Sequence, residues 1–304
     1  MAADADWIAA DWGTTNLRLW LMRGGDVVAA RSSDRGMGVM TGPQDFAAEL
    51  ARITESWPPL PVIACGMVGA RQGWIEVPYR QAPCPALPEL TPVPGDPGGR
   101  PVLIAGGVMQ PDPPDVMRGE ETQIAGVLAA RPDFDGVICL PGTHTKWARI
   151  SAGETCHFQT TMTGELFALI SRQSVLRHSM TGDAPDPANP GFTQALATAL
   201  SQPHQGWARL FRLRAAGLVG GAGPMGTDAG GADAALSGLL LGLDLGAARP
   251  YWLGQQVLII GSPRLSALYA AALHQQGAEP VIGDADTATR AGLHAAWRRY
   301  EGLS

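Results

Sequence analysis

Two segments of the chain follow the same plan: a short apolar strand, a glycine-threonine turn, and two further strands joined by a tight turn. The first spans residues 7–31 and contains D-W-G-T-T, whereas the second spans residues 137–161 and contains P-G-T-H-T-K. Tight turns between strand-like runs are typical of hairpins. The repeat therefore predicts two duplicated domains that face each other across a cleft, each opening with a glycine-threonine turn.

Apolar runs and helical periodicity alternate along the chain, which predicts an α/β fold with covered sheets. Residues 71–101 are rich in Pro and Gly, so we expect a long irregular segment there. The further strands are expected at 61–65, 102–105, 257–260 and 280–282. The helices are expected at 43–57, 119–130, 164–175, 192–215, 232–247, 264–276 and 285–299.

A domain boundary is expected near Arg131-Pro132-Asp133, giving domains 1–131 and 132–304. The first would hold one phosphate turn and bind the substrate. The second would hold the other phosphate turn and adenosine. The last helix is expected to return onto the first domain.

Composition narrows the class of protein. The net charge of -6 argues against a nucleic-acid partner, which needs a basic face, and 45% hydrophobic residues argue against disorder. The four cysteines form no C-x-x-C pair, as is usual in a reducing compartment. No basic signal region and no apolar run long enough to span a membrane is evident. We expect a cytoplasmic protein with small-molecule partners and no membrane or nucleic-acid partner.

The first turn has the residue types of a phosphate site. Gly13 lets the backbone approach an anion, and the N–H groups and side chains of Thr14, Thr15 and Asn16 can hold phosphate oxygens. Asp11 suits a hydrated Mg²⁺, which prefers few protein ligands. The alternative is an ordinary hairpin turn in which the same side chains satisfy the backbone.

The second turn supplies matching candidates at an equivalent place. Its alternative is a plain strand-strand turn with a surface lysine and a packed or exposed histidine. Two matched turns favour phosphate binding, because actin-like ATPases and sugar kinases hold ATP from two opposed domains. The candidates are Gly142, Thr143, His144, Thr145 and Lys146.

Several motifs resemble those of the 2-dehydro-3-deoxygalactonokinase family. They are D-W-G-T-T-N-L-R at 11–18, C-G-M-V-G at 65–69, V-M-R-G-E-E-T-Q at 116–123, P-G-T-H-T-K-W at 141–147 and T-M-T-G-E-L at 161–166, with Gly73-Trp74 and Pro78-Tyr79. The resemblance implies two actin-like ATPase (ribonuclease H-like) domains. It also implies that ATP and Mg²⁺ are used to phosphorylate 2-dehydro-3-deoxy-D-galactonate at its 6-hydroxyl in galactonate catabolism, and a homodimer is compatible with it.

The same resemblance places a third turn, at Gly261 and Ser262, beside the adenosine. Here the chain departs from the family pattern, because Pro263 follows where the family usually has a Gly-Thr/Ser turn without proline. Both residues are expected to bind nucleotide.

A sugar-acid substrate needs a partner for its carboxylate, and arginine is the bidentate choice. Backbone N–H groups at Gly66 and Met67 could add donors, and Trp74 and Tyr79 could form pocket walls. The alternatives are core packing for Trp74 and solvated surface for the arginines. The arginine candidates are Arg71, Arg80 and Arg118.

Glu120 is the first candidate for the base that takes the hydroxyl proton, followed by Glu121, because sugar kinases of this fold carry an acid at this place. Asp11 is assigned to the metal rather than to the base. The alternative for both glutamates is a favourable interaction with the helix dipole. Other functions compatible with the motifs are a kinase for another sugar acid, a phosphohydrolase, or a non-catalytic nucleotide-binding sugar sensor.

Overall fold

The computed structural model describes residues 4–219 and 231–303. Contacts divide the chain into two compact units. The first comprises Met1–Asp135, Ile150–His157 and Ala285–Ser304, and the second comprises Gly136–Arg149 and Phe158–Asp284. The last helix is therefore grouped with the first unit.

The elements up to residue 130 build most of the first unit. They are β1 (Trp7–Trp12), β2 (Leu17–Arg23), β3 (Asp26–Ser33), α1 (Pro43–Ile53), β4 (Val62–Gly66), β5 (Arg80–Gln81), β6 (Cys84–Pro85), β7 (Leu90–Pro92), β8 (Val102–Ala105), β9 (Val108–Pro111), β10 (Pro114–Met117) and α2 (Glu120–Ala130). The main sheet has the order β3-β2-β1-β4-β8-β7, and β10-β9-β5 form a smaller sheet. β1 pairs with β4 and β4 with β8 in parallel, whereas β2 and β3 are antiparallel neighbours.

The elements after residue 135 repeat this plan. They are β11 (Gly136–Leu140), β12 (Thr145–Ser151), β13 (Glu154–Thr161), α3 (Thr163–Gln173), α4 (Pro190–Ser201), α5 (Gly206–Leu218), α6 (Gly231–Ala247), α7 (Arg249–Trp252), β14 (Val257–Gly261), α8 (Pro263–His274), β15 (Val281–Asp284) and α9 (Ala285–Tyr300). Their sheet has the order β15-β14-β11-β12-β13-β6. This order matches β8-β4-β1-β2-β3 element for element, so the predicted internal repeat and the α/β class are confirmed.

The first strand is buried on both faces, which explains its unbroken apolar sequence. Ile8 and Trp12 pack on one face against Phe46 of α1. Trp7 packs on the other face against Trp297 of α9, with ring centroids 5.5 Å apart. Alternate residues thus fill two different cores, and the carboxyl end of β1 is fixed between them.

Three sequence expectations need correction. The helix expected at 192–215 is two helices, α4 and α5, because Pro203 lacks the N–H group needed to continue α4 and opens a short 3-10 turn. The helix expected at 43–57 ends at Ile53. Residues 71–101 contain the short strands β5, β6 and β7 rather than irregular chain alone.

No helix in the described ranges has both the length and the apolar character needed to cross a bilayer.

Helices α2 and α9 touch at backbone distance within the first unit. A Cβ atom added at Gly292 would lie 1.9 Å from the Thr122 carbonyl oxygen, and one at Gly126 would lie 1.9 Å from the Ala288 oxygen. Neither backbone oxygen is the end of a flexible side chain, so the helices would have to separate to admit a methyl group.

We therefore predict that Gly292→Ala lowers the free energy of unfolding by about 1–3 kcal/mol, as expected for overpacking. Gly246→Ala in α6 is the matched helical control, because its nearest neighbour would be Leu200 Cδ2 at 3.9 Å. The control should gain up to about 1 kcal/mol from helix propensity. Urea unfolding monitored by circular dichroism checks both variants, and equal midpoints for the two would contradict the close packing.

Candidate active site

The first glycine-threonine turn is held by the loop that follows β3. The backbone N–H groups of residues 36–38 donate to the carbonyl oxygens of Thr15, Gly13 and Thr14 at 2.8 to 3.1 Å. Gly36 permits this contact, since a Cβ there would lie 2.4 Å from the Thr14 oxygen. The turn is thus fixed through its carbonyl groups, while the side chains of Thr14 and Thr15 remain exposed.

An open pocket of about 550 Å³ lies beside this turn in the first unit. Most of its lining is polar, as an anion or a hydrated cation requires. The structure therefore brings together most of the residues predicted for the first phosphate turn. The pocket is lined by Asp11, Gly13, Thr15, Asn16, Arg18, Ser32, Ser33 and Asp34.

Asp11 lies at the end of β1 in an ion pair with Arg18, and Arg18 forms a second ion pair with Asp286 of α9. Burial disfavours the charge of Arg18, but the two carboxylates outweigh it and raise the Arg18 pKa. The Asp11 side chain is 19% exposed, so one side of it still faces the pocket. Asp11 is thus a partly open carboxylate beside a fixed cation.

Asp11 also lies close to the ends of β4 and α2. The Cys65 thiol is 3.9 Å from Asp11 Oδ1. Gly66 has φ of +92°, and a Cβ there would lie 2.8 Å from the Trp12 oxygen. A Cβ at Gly119 would lie 3.3 Å from the Gly66 Cα, so the start of α2 packs on the end of β4. The predicted residues Asp11 and Gly66 and the first turn of α2 therefore share one edge of the sheet.

The two glutamates at the start of α2 have different environments. Glu120 is partly exposed, and its Oε2 accepts a hydrogen bond from the backbone N–H of Arg118 at 3.0 Å. Glu121 is 1% exposed, and its Oε2 accepts from the Gly119 N–H at 2.6 Å. Burial, and then the charge of Glu120, raises the pKa of Glu121 to about 8. Glu120 is thus the accessible carboxylate, whereas Glu121 is enclosed and neutral at pH 7.

Arg118, one of the predicted carboxylate ligands, has two buried donor atoms that are not used within the described part of the chain. Its Nη2 donates to the Val77 oxygen at 2.8 Å, and its guanidinium carbon lies 4.2 Å from the centre of the Tyr79 ring. Among the described residues, its Nε and Nη1 atoms are buried and find no hydrogen-bond partner. A Cβ at Gly69 would lie 3.0 Å from Arg118 Nη1, so this side chain lies against the loop after β4, where Met67 is half-buried.

The other predicted substrate residues are placed differently. Arg71 is 79% exposed and pairs with Glu76 at 3.2 Å, which matches the solvated-surface alternative. Trp74 is 5% exposed and stacks on Phe46, with ring centroids 5.9 Å apart, which matches the core-packing alternative. Arg80 donates to the Pro85 oxygen, and its Nε is buried without a partner among the described residues. Arg118, with two such donors, has more left for a ligand than Arg80.

The second glycine-threonine turn lies at the edge of a cavity of about 340 Å³ in the second unit. Gly142 and Thr143 line it. Thr163, the first residue of α3, and Ser262, the N-cap of α8, line it as well. Helix N-termini favour anions because their N–H groups and dipoles point at the ligand. Much of the remaining wall is apolar, from Phe167, Ala168, Leu240, Leu241, Leu265 and Leu268, but Arg172, Ser237, Arg264 and Tyr269 also line it.

Two residues of the second turn, Thr145 and Lys146, are more buried than expected, whereas His144 is exposed. Thr145 is 1% exposed, and its hydroxyl lies 2.7 Å from the Tyr269 hydroxyl. Lys146 is 5% exposed, and its Nζ donates to the His144 oxygen at 3.5 Å. His144 pairs with Glu165, with Nε2 to Oε2 at 2.6 Å. The alternative of a surface lysine is therefore wrong. The Thr145 hydroxyl is already used within the second unit, in its hydrogen bond with Tyr269.

The third predicted turn lies on the same cavity. Ser262 caps α8 by accepting a hydrogen bond from the Leu265 N–H at 3.4 Å. A Cβ at Gly261 would lie 3.2 Å from Pro141 Cδ, so the end of β14 packs directly on the residue before the second phosphate turn. Pro263 fills the first helical position, where proline is well tolerated.

No group of three or more His, Cys, Asp or Glu side chains that could hold a metal ion lies within residues 4–219 and 231–303. The donor set at the first turn fits Mg²⁺ instead, because this ion is usually bound by one or two carboxylates, several waters and substrate phosphates. Asp11, the predicted metal residue, and Asp34 are the carboxylates that line the pocket beside this turn.

Comparison with known proteins identifies the family of this chain. The family model described as 2-keto-3-deoxy-galactonokinase matches residues 11–296. The chain belongs to this family. A Rhizobium meliloti (strain 1021) member assigned as a 2-dehydro-3-deoxygalactonokinase is 39% identical over 301 residues, covering 95% of this chain and 96% of that one. The Escherichia coli (strain K12) 2-dehydro-3-deoxygalactonokinase is 33% identical over 302 residues, covering 96% and 97%.

Solved structures extend the comparison to the fold. A Sinorhizobium meliloti crystal structure assigned to the same activity has a TM-score of 0.88 and 38% identity, and the match covers 97% of this chain and 99% of that one. Component A of the Acidaminococcus fermentans (R)-2-hydroxyglutaryl-CoA dehydratase has a TM-score of 0.55 at 13% identity, covering 97% and 98%, and shows the fold alone. The family and the actin-like ATPase fold expected from the motifs are confirmed.

Sequence reasoning missed two contributors to these sites. Asp286 reaches Arg18 across 268 residues of chain, and no local pattern signals such a pair. Asp244 is the single charged residue in the apolar run L-L-L-G-L-D-L-G, and this isolated charge is the sequence signal that could have identified it. In the structure it is 3% exposed.

The raised pKa of Glu121 makes a prediction about stability. The folded state holds its proton up to a pH of about 8, whereas an unperturbed glutamate releases it near 4.5. Stability from this group is therefore complete below pH 4.5 and is lost as pH rises toward 8, by about 1.4 kcal/mol per pH unit at most. Glu121→Gln, which cannot ionise, should remove this decline.

Urea unfolding of both proteins at pH 5, 6, 7 and 8 measures the difference. The variant should become progressively more stable than the wild-type protein as pH rises. Parallel curves for the two proteins would show that Glu121 is ionised in the folded state across this range.

Proposed function

We propose that this protein transfers the terminal phosphoryl group of ATP to the 6-hydroxyl of 2-dehydro-3-deoxy-D-galactonate, as a step of galactonate catabolism. One observation carries the proposal: the family match and two relatives of that activity extend over nearly the whole chain. The free thiols at Cys65, Cys84, Cys139 and Cys156 support a cytoplasmic enzyme, since reduced cysteines are usual there.

The nucleotide is assigned to the second unit. Its cavity combines an apolar wall, suited to a nucleobase, with the Gly142-Thr143 turn and two helix N-termini, suited to phosphates. Ser262 lines one side of it, and Gly261 precedes Ser262 at the end of β14. We assign Thr145 and Lys146, which are buried, to the support of this turn, and His144 to its exposed side.

The sugar acid is assigned to the first unit. A carboxylate placed at Arg118 would satisfy the Nε and Nη1 donors that are otherwise buried without partners, and such unpaired donors are costly. The Arg118 plane is already fixed by the Val77 oxygen and by the Tyr79 ring. Backbone groups at Gly66 and Met67 lie on the same loop and would contact the hydroxyl groups of the substrate.

Glu120 is proposed as the base that accepts the proton of the attacking hydroxyl. It is the accessible carboxylate of the pair, and the Arg118 N–H orients its Oε2. Asp11 would hold Mg²⁺ through water, with Gly13, Thr14, Thr15 and Asn16 beside it for the transferred phosphate. When bound, Mg²⁺ supplies positive charge to the phosphate oxygens. Phosphoryl transfer depends on such positioning and charge more than on covalent chemistry.

Initial rates with Mg-ATP should be far higher for 2-dehydro-3-deoxy-D-galactonate than for glucose or galactose. A neutral sugar leaves the Arg118 donors unpaired, which costs about 1–3 kcal/mol per donor and more for a charged one. The 4-epimer, 2-dehydro-3-deoxy-D-gluconate, keeps the carboxylate and the 6-hydroxyl and should be the closest competitor. The measurement is coupled ADP release across these four sugars, and a preference for glucose would refute an acid-specific site.

Arg118→Met should raise KM for the sugar acid by about tenfold or more while the KM for ATP changes little, because a charged hydrogen-bonding partner is lost. Arg71→Met is the matched control on the same unit. Its partner is exposed Glu76, so both KM values should stay near those of the wild-type enzyme. A larger effect from Arg71 than from Arg118 would move the carboxylate site to the surface loop.

Glu120→Gln should lower kcat by about 10²–10⁴-fold with a much smaller change in KM, as is typical when a general base is removed. Glu121→Gln is the neighbouring control and should keep most of the activity, because that side chain is already protonated at pH 7. If the control variant were the inactive one, the base would be Glu121, and if both were active it would lie elsewhere.

A further inference from the structure

One buried carboxylate in the second unit joins four separate elements. Asp244 of α6 accepts hydrogen bonds from the Trp147 indole N–H at 2.9 Å and from the Tyr269 hydroxyl at 2.5 Å. It also accepts from the hydroxyls of Thr161 at 2.8 Å and Thr163 at 2.6 Å. These donors belong to β12, α8, β13 and α3, so four elements meet at a single side chain.

The four donors to Asp244 are neutral groups, and the side chain is 3% exposed. Burying a carboxylate is costly unless hydrogen bonds compensate for the lost water. Here burial raises the Asp244 pKa, and the hydrogen bonds from Thr163, Tyr269, Trp147 and Thr161 oppose that rise. A hydrophobic side chain of similar size would pack in the same space without this cost, so packing alone does not account for the carboxylate.

The direction of the hydrogen bonds links Asp244 to the second phosphate turn. Burial raises the pKa of Tyr269 well above its ordinary value, so Tyr269 keeps its single proton and donates it to Asp244. The bond of 2.7 Å between Thr145 and Tyr269 must then have the Thr145 hydroxyl as its donor. A directed chain therefore runs from Thr145 through Tyr269 to Asp244.

Two of the four donors face the cavity assigned to the nucleotide. Thr163 and Tyr269 line it, whereas Thr161 and Trp147 do not. The start of α3 also contacts the turn directly, because a Cβ at Gly164 would lie 2.3 Å from the Gly142 oxygen. Displacing Asp244 would therefore move residues on the cavity wall and on the turn together.

We propose that Asp244 is a positioning residue for nucleotide binding: it fixes Thr163, Tyr269 and, through Tyr269, Thr145 around the cavity of the second unit. It does not touch the ligand itself. The proposal rests on the assignment of the nucleotide to this cavity and adds a residue to that site. Asparagine at this position would present an amide N–H₂ to at least one of the present donors, so the network could not be kept intact.

The test is calorimetric titration of Mg-ADP into the enzyme without sugar acid, which is independent of the proposed acceptor. Asp244→Asn should weaken Mg-ADP binding by about tenfold, the equivalent of one hydrogen bond to a charged group. KM for ATP should rise in parallel, while KM for the sugar acid stays within twofold. Unchanged Mg-ADP affinity in a folded Asp244→Asn protein would overturn the proposal.

Asp233→Asn is the matched control. Asp233 is a second buried carboxylate on α6, 2% exposed, which accepts hydrogen bonds from the Thr181 N–H and hydroxyl at 2.8 and 3.0 Å. It does not line the cavity. Its variant should lose stability without losing Mg-ADP affinity. Equal loss of affinity in both variants would show a general effect of damage to α6 and would also overturn the proposal.

If Asp244→Asn does not fold, Tyr269→Phe tests the same proposal. It keeps the carboxylate and the other three donors and removes only the hydroxyl that joins Thr145 to Asp244. This variant should weaken Mg-ADP binding severalfold, whereas Thr161→Val, which removes a donor outside the cavity, should not. If Thr161→Val weakened Mg-ADP binding more than Tyr269→Phe did, the route through Tyr269 would be wrong and the proposal would be overturned. If the wild-type enzyme bound Mg-ADP but did not phosphorylate the sugar acid, the proposed acceptor would be wrong, and the role of Asp244 in nucleotide binding would be unaffected.

Discussion

The candidate site of the first unit depends on backbone contact between the ends of β1 and β4 and the start of α2. A side chain at Gly66 would collide with the Trp12 oxygen, and one at Gly119 would press tightly on the Gly66 Cα; both glycines also have a positive φ that side chains rarely adopt. Because these segments touch, Asp11, the loop after β4 and the first turn of α2 reach one edge of the sheet. The accessible carboxylate of Glu120, the enclosed one of Glu121 and the guanidinium of Arg118 all take their positions from that contact.

The two halves of the repeat support equivalent turns by different means. In the first unit, backbone N–H groups of residues 36–38 hold the carbonyl oxygens of the turn. In the second unit, the Thr145 side chain is hydrogen-bonded to the Tyr269 hydroxyl, and a single backbone N–H, that of Glu165 in α3, donates to the Thr143 oxygen at 2.9 Å. The two turns therefore share a topology but not the hydrogen bonds that hold them in place. Equivalent substitutions in the two turns will have different consequences.

The sequence predicted the repeat, the α/β class and most residues around the first turn, because hydrophobic periodicity and glycine-threonine turns at strand ends are local patterns. It did not predict that Thr145 and Lys146 would be buried. The first residues of β12 are buried on both faces of the sheet. A strand of this kind lacks the alternation of polar and apolar residues that would show which side chains point inward. Trp74 was open to two interpretations, since an aromatic side chain suits a core and a pocket wall equally well.

The chain order has a consequence for how the molecule is made. Residues 136–149 and 158–284 are inserted between parts of the first unit, whose last helix follows them. During synthesis, all elements of the second unit are complete before α9 leaves the ribosome. Until then, the sheet face that carries Trp7 lacks its cover of Leu293 and Trp297, and α2 lacks its partner. The first unit is therefore the last to finish folding although its synthesis starts first, and its uncovered apolar face is the surface that a chaperone would meet.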